Sequence, residues 1–397
     1  MSRYRLTIDT GGTFSDLVLH DGQTGELRVL KVPSTPDDPA RAVRTGIELL
    51  AQQGVDPREI GFFFHGTTVA TNALLEERGA RVGLAVTEGF RGIAEAMEQS
   101  RPFGRTIFDL GFTKPTLLAP ESRTAEIVER VGPKGQVLRE LDPATIEDAI
   151  ARFEAEGVEA VAICLLFSFM NPAHEQAVRD RLREAHPEWW ISASSDLLPQ
   201  IREYFRLSTT VINAYVSPVL GRYVTQLGRI LDEHGVAPGR RFTMQSNGGS
   251  TPLARTSEQA AGTILSGPAG GVTAGAALAA RTGLRNLITF DMGGTSCDVA
   301  LIKDSEASLS NRGKVEGRDV ALPMIDINTV SAGGGTLAKV DRFGELIVGP
   351  QSAGAQPGPA CYMRGGTQPT ITDCNLALGY LGEDNFLRSE EHTSELQ

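Results

Sequence analysis

The chain has 397 residues, of which 41% are hydrophobic and 22% charged, with a formal net charge of −11. That length predicts about two domains of roughly 150–200 residues each. The acidic balance, without a basic run or a basic–aromatic stripe, argues against a nucleic-acid partner, and no apolar stretch reaches membrane-spanning length.

Four cysteines without C-x-x-C spacing fit a reducing compartment, and no positively charged segment followed by an apolar run opens the chain. The expectation is a cytoplasmic protein with no membrane partner. Residues 4–8 and 15–20 predict a hairpin through Gly11-Gly12, and 26–32 a third strand. Apolar residues at helical spacing predict a helix over 39–53. "FFFHGTTVATNALLEERG" reads as a strand, a small-residue turn and a helix stopped by Gly79. "ARVGLAVT" reads as a buried strand. Residues 99–135, rich in Pro, Gly and Arg, are expected to be irregular, as an active-site or interface loop region. A helix over 143–156, an apolar strand over 159–167 and a helix from the Asn171-Pro172 cap make another βα unit. A long amphipathic helix is expected from about 203 to 234, bent near Pro218. From residue 241 the sequence turns rich in Gly and Ala. The alternation of strands and helices gives an α/β class, divided into 1–197 and 198–387. The last ten residues, "RSEEHTSELQ" (388–397), resemble the conceptual translation of a sequencing-library adapter and are set aside as an artefact.

The strongest signal is a repeat. "LTIDTGGTFSDLVLH" from residue 6 returns 282 residues later as "ITFDMGGTSCDVALI", with identity at seven of fifteen positions. Each copy predicts a strand, a Gly-Gly-Thr turn and a second strand. Glycines let backbone N–H groups approach an anion without a Cβ in the way. Thr13 and Thr295 add a hydroxyl beside those groups. Asp9 and Asp291, at the strand ends, offer carboxylates to Mg²⁺ or its waters, because Mg²⁺ takes oxygen ligands. Two such turns closing on each other, with Gly11, Gly12, Gly293 and Gly294, would hold the β- and γ-phosphates of ATP. Asp16 and Asp298 either join them or cap the turns.

Other candidates are less specific. His65, Thr67, Thr68 and Asn72 lie at a strand-to-helix turn suited to an anion or carbonyl oxygen; a capped helix start with His65 bonded to backbone explains the same residues. Arg91 and Arg101 would pair with a substrate carboxylate or stay solvated. "SGPAGG" (266–271) is either an anion nest or a close-packing surface.

The paired turns resemble those of the actin-like (ribonuclease H-like) ATPases, whose duplicated domains flank a nucleotide cleft. "SAGGGTLAKVD" sets Gly333, Gly334 and Gly335 where an adenosine-binding loop would follow the second turn, and the P-loop signature is absent. Closer still, "IDTGGTFSDLV", "HGTTVATNALLEERGARVGLAVTEGFR", "SGPAGGV", "FDMGGTSCDVALI", "IDINTVSAGGGTLAKVD", "GPQSAGAQPGPACYMRGG" and "PTITDCNLALGYLG" resemble the hydantoinase A/oxoprolinase family. That resemblance implies ATP and Mg²⁺ as cofactors and Asp9 and Asp291 as the catalytic carboxylates. It further implies opening of a hydantoin- or 5-oxoproline-type cyclic amide after phosphorylation of its carbonyl oxygen. His65, Thr67, Thr68 and Arg91 become the substrate-side candidates, with a hydantoinase B-type subunit as partner in an oligomer. The alternatives are an ATP-dependent ketone carboxylase subunit and an ATP-gated binding or chaperone module.

Overall fold

The computed structural model describes residues 3–11, 14–35, 38–97, 114–294, 297–330, 332–354, 357–363 and 365–382. Gly12, Thr13, Thr295, Arg101 and the adapter-like tail lie outside them.

Six strands form the first sheet. β1 (Tyr4–Thr10) pairs antiparallel with β2 (Phe14–Asp21), and β2 with β3 (Leu27–Pro33). On its other side β1 runs parallel to β4 (Ile60–Thr67). Strict alternation along β1 buries Tyr4, Leu6 and Ile8 and turns Arg5, Thr7 and Asp9 to the opposite face. The helix α1 (Pro39–Gln52) covers the apolar face with Val43, Gly46, Ile47 and Leu50. The strands beyond β4 are β9 (Arg241–Met244) and β10 (Ser250–Pro252). Thus the sheet takes strands from both sides of the expected division at 197.

Between those strands the chain builds a second sheet from β5 (Val82–Thr87), β6 (Thr124–Ile127), β7 (Ala160–Cys164) and β8 (Trp190–Ala193). Spatial order is β8–β7–β5–β6, all parallel. β6 lies within the stretch expected to be irregular; four residues, "TAEI", are too short to announce a strand by alternation. In open parallel sheets ligands favour the carboxyl ends at the point where strand order reverses. Here the protein's own groups fill that region. Buried Glu129 binds Thr87 and His174, and buried Glu175 accepts from the Leu165 N–H, the Ser194 hydroxyl and the Ser195 N–H at 2.6–2.8 Å.

The α2 helix (Val69–Leu75) ends four residues before Gly79. That glycine serves a different purpose: a Cβ there would overlap the Tyr215 ring. Tyr215 belongs to α5 (Glu203–Glu233), a single helix with Pro218 in its interior. This helix is the spine of the molecule, sharing one apolar core with β1, β4, α1 and α2 and with β5 and β7. The helices α3 (Pro143–Ala155) and α4 (Ala173–Ala185) belong to the second sheet.

The second hairpin of the repeat forms as expected. β11 (Leu287–Met292) pairs antiparallel with β12 (Cys297–Lys303), and Asp291 lies opposite Asp298 just as Asp9 lies opposite Asp16. β13 (Ile327–Val330) extends that sheet, and β14 (Thr336–Val340) with β15 (Leu346–Ser352) makes a separate ribbon. The α6 helix (Ser266–Thr282) lies between the first and third sheets. Ala269 and Val272 pack with Phe64 and Met244 of the first, and with Ala300 and Ile302 of the third. No single helix among the described residues is long and apolar enough to cross a membrane.

Two glycines on α5 should respond oppositely to the same change. A Cβ at Gly221 would run into the Trp190 ring, whereas Gly228 faces open space. Urea denaturation should show Gly221→Ala destabilising by about 1–3 kcal/mol through overpacking. Gly228→Ala should stabilise by up to about 1 kcal/mol through helix propensity.

Candidate functional site between the twin hairpins

Both candidate acids sit on the sheet faces that look toward α6. Asp9 shares its face with Thr7 and Phe64, and Asp291 shares its face with Thr289, against which Gly275 of α6 packs so closely that a Cβ there would stand 2.6 Å from the threonine methyl. Although Asp9 keeps solvent access, its pKa is raised above the ordinary carboxylate value, by burial first, then by Asp16 and by Asp291. Neither Asp9 nor Asp291 makes a hydrogen bond or ion pair among the described residues.

Their cross-strand neighbours behave differently. Lys31 on β3 holds Asp16 at 3.3 Å, and the Thr329 hydroxyl on β13 donates to Asp298 at 2.6 Å. Each hairpin therefore pins its second aspartate from the third strand and leaves its first one free. The symmetry separates the two open roles of Asp16 and Asp298 from those of Asp9 and Asp291.

Gly66, which the sequence reading passed over, makes room for Asp9. The two residues pair across β1 and β4, and a Cβ at Gly66 would stand 2.7 Å from the Asp9 carboxylate oxygen. The first turn is held from the side by Ser34, whose hydroxyl donates to the Gly11 carbonyl at 2.8 Å. Thr68 donates to the Thr10 carbonyl at 3.2 Å, and Asn72 donates to Thr68 at 3.3 Å.

His65 lies inside the sheet with no solvent exposure. Its Nδ1–H donates to the Ile8 carbonyl at 3.2 Å, and Tyr223 of α5 donates its hydroxyl to Nε2 at 2.6 Å. Both ring nitrogens are committed to the fold, one residue behind Asp9. Thr67 is equally buried: its hydroxyl accepts the Val69 N–H, and its carbonyl accepts the Ser266 hydroxyl at the start of α6. Arg91 pairs with Glu121 at 3.4 Å and lines a separate shallow depression with Arg152 and Glu156.

The three-glycine loop is stitched onto the second turn. Gly334 and Gly335 donate their N–H groups to the carbonyls of Gly293 and Gly294 at 2.9 and 2.7 Å. A Cβ at Gly335 would meet the Gly294 carbonyl at 2.9 Å, and one at Gly334 would meet the Thr372 hydroxyl at 2.6 Å. Thr372 opens the short helix α7 (Ile371–Ala377), whose N-terminus is closed by a Thr370–Asp373 capping box.

Beside the first turn lies a cavity of about 660 Å³. Thr10 and Gly11 form one wall, Thr68 and Asn72 of α2 another, and Arg222 and Gln226 of α5 a third. Gln226 is tied to Asp38 at 2.9 Å, while Arg222 is exposed and has no partner among the described residues. Nothing in the local sequence marks Arg222, because α5 reaches the turn from about 210 residues away.

Burial lowers the His65 pKa to about 4 against the opposing Ile8 hydrogen bond, so the ring stays neutral in the folded protein. As pH falls below about 6.5 the unfolded chain takes up a proton that the native state refuses. Stability should drop between about pH 6.5 and about pH 4, by at most about 1.4 kcal/mol per pH unit from this group. Denaturant titrations at several pH values should show a shallower acid slope in His65→Gln than in the wild type.

Two family models match the chain. Residues 5–186 match the family model described as "Hydantoinase/oxoprolinase N-terminal region", and residues 206–396 match "Hydantoinase/oxoprolinase". The chain is 42% identical to caprolactamase subunit alpha of Pseudomonas jessenii, covering 97% of this chain and 56% of that protein. It is 35% identical to 5-oxoprolinase 1 of Arabidopsis thaliana, over 97% of this chain and 32% of the relative. Among solved structures, the ATP-dependent caprolactamase of Pseudomonas jessenii superposes with a TM-score of 0.83 at 41% identity, over 96% of this chain and 55% of that one. The nucleotide-free acetone carboxylase superposes with a TM-score of 0.80 at 29% identity, over 98% and 56%. The chain thus spans about half the length of the caprolactamase and acetone carboxylase chains, and less of the 5-oxoprolinase. The fold is a mixed α/β fold of the ATPase-like kind found in those enzymes, and the chain belongs to the hydantoinase/oxoprolinase family.

Proposed function

We propose that this chain is the nucleotide-using part of an enzyme that opens a cyclic amide at the expense of ATP. The observation that carries the reading is the pair of free carboxylates, Asp9 and Asp291, on corresponding strands of twin hairpins. Two carboxylates without a partner, the second of which helps to raise the pKa of the first, suit a divalent cation, and oxygen donors of this kind suit Mg²⁺. Bound there, Mg²⁺ would neutralise charge on the phosphates being transferred. Gly11 and Gly12 with Thr13, and Gly293 and Gly294 with Thr295, would hold phosphate oxygens. The Gly333–Gly335 loop, fastened to the second turn, would border the nucleoside.

An unstrained lactam resists water because amide resonance weakens its carbonyl as an electrophile. Transfer of the γ-phosphoryl group to the carbonyl oxygen, with ADP leaving, would produce an imidate phosphate. Water would then add at that carbon, the ring C–N bond would break with a proton going to the departing amine, and a second water would release phosphate from the resulting acyl phosphate. His65 and Thr67 act in this reading as positioning residues: they fix β1 and the start of α6, and so the bearing of Asp9. The cavity beside Thr10 and Gly11 is the proposed seat of the ring, with Thr68 and Asn72 on its wall and Arg222 available to a substrate carboxylate. Arg91 is assigned to a different surface. A B-type subunit would complete the enzyme. Likeness to acetone carboxylase favours one second reading, phosphorylation of an enol before carboxylation, which bicarbonate-dependent ADP release with a ketone would reveal.

In the complete enzyme, Asp9→Ala and Asp291→Ala should each reduce ADP release at least about a thousandfold. Asp291→Asn should leave the nucleotide-free melting temperature unchanged or higher, since it removes one of the charges repelling Asp9. Wild-type turnover in either alanine variant sinks the phosphate-site assignment. Arg222→Leu should raise KM for 5-oxoproline about 10–100-fold, the worth of a charged hydrogen bond, and leave an uncharged lactam unaffected. Equal effects on both substrates would remove Arg222 from the substrate site while leaving the nucleotide assignment intact.

A further inference from the structure

Two stretches, "PGPACY" (357–362) and "PTITDCN" (369–375), carry no residue placed at the phosphates or the cavity, yet they meet behind the three-glycine loop. That loop has no backbone N–H free for a ligand. The Gly333 N–H donates to the Thr336 hydroxyl at 2.8 Å, and the Gly333 carbonyl accepts the Thr336 N–H at 2.9 Å. Gly334 and Gly335 give their N–H groups to the second turn, while their carbonyls accept the N–H groups of Thr372 and Ala353, each at 2.8 Å. What the loop offers a nucleoside is therefore a shaped surface, and such a surface contributes most when it is held in place beforehand.

The hold runs through one carboxylate. Asp373, in the first turn of α7, accepts the Thr370 N–H at 2.7 Å and the Thr370 hydroxyl at 2.8 Å on Oδ2. The Ala360 N–H reaches the same oxygen at 3.2 Å, and the Cys361 N–H donates to Oδ1 at 2.7 Å. Thr370 is fully buried and bridges to Leu337 of β14, beside Ala338, whose N–H donates to the Pro369 carbonyl at 2.9 Å. Asp373 thus joins α7, the turn at 360–361 and, through Thr370, the strand that leaves the glycine loop. Burial works to raise its pKa, and the bonds from Cys361 and Thr370 outweigh burial and hold it at about 2. Each of these partners is a donor, so an ionised acid satisfies them all.

We propose that Asp373 is a positioning residue of the nucleotide site: it locks α7, and α7 holds the glycine loop against the second phosphate turn. The inference rests on the nucleotide reading of the twin hairpins and adds a residue to it. Thr372, next to Asp373, makes the contact. Its N–H holds the Gly334 carbonyl, and its hydroxyl closes the space that a Cβ on Gly334 would need. Gly334 and Gly335 in turn bind Gly293 and Gly294, just beyond Asp291. Loosening α7 lowers the fraction of molecules with the loop in place, which weakens nucleotide binding without slowing transfer once the nucleotide is bound.

Nucleotide binding to the complete enzyme tests this. Asp373→Asn replaces one acceptor by an NH₂ group that meets N–H donors in either orientation. It should weaken ADP binding, measured by calorimetry, at least about tenfold and raise KM for ATP in parallel, with kcat at saturating ATP kept within about threefold. Thr370→Val, which removes one donor to the carboxylate, should act in the same direction by about three- to tenfold, with Thr370→Ser within about twofold of the wild type. A lower melting temperature with unchanged ADP affinity would mark a purely structural cap and overturn the proposal. Loss of kcat at saturating ATP without a change in affinity would overturn it as well. Should Asp373→Asn fail to fold, unchanged ADP affinity in Thr370→Val is sufficient to reject it. A wild type that does not bind ADP removes the nucleotide reading and this inference with it, whereas a wild type that binds and is matched by both variants removes only the role of Asp373.

Discussion

Asp9 and Asp291 stand at matching places on the twin hairpins, neither with a hydrogen bond or ion pair among the described residues, and much of the surrounding structure keeps them so. A neighbouring lysine or hydroxyl would satisfy either carboxylate, but those at hand are engaged elsewhere. Lys31 is spent on Asp16, Thr329 on Asp298, and β1 is fastened by Ser34 and Thr68 on either side of the turn. Burial, ahead of the neighbouring carboxylates, is the first cause of the raised Asp9 pKa, so the packing around β1 itself disfavours the charged form.

That packing is rigid where it matters. Behind Asp9 a neutral His65 links the Ile8 carbonyl to Tyr223, so α5 holds the first hairpin from the core. At the front, Gly66 leaves the carboxylate its space, and α6 begins where Leu265 and Ser266 bond to Thr71 and Thr67. Leu265 adopts a left-handed conformation with φ of +63°, which a non-glycine residue holds only under tertiary constraint. Strain at that residue starts α6 against α2 and lets its middle reach the second hairpin.

Parts of this were legible in the residues alone. The repeat announced both hairpins, their equivalent acids and the α/β class, because alternation and Gly-Gly turns are local. Other readings were left open or went unseen for physical reasons. The string "HGTT" looks like an exposed strand-to-helix turn, but His65 and Thr67 fall on buried positions of β4, and burial depends on α5 and α6, remote in sequence. Gly79 reads as a helix stop, whereas its smallness serves the Tyr215 ring. Gly66 and Arg222 were invisible, one because its partner lies across a sheet, the other because a distant helix brings it to the turn. The strand Thr124–Ile127 was too short to declare itself.

Sequence by itself determined the duplicated hairpin, the candidate acids and the family, since each rests on residue type at fixed spacing. Tertiary structure alone decided which aspartate of each hairpin stays free and which histidine is structural. The reason is that spacing sets what a segment can form locally, while charge pairing and burial are fixed by whatever the rest of the chain brings against it.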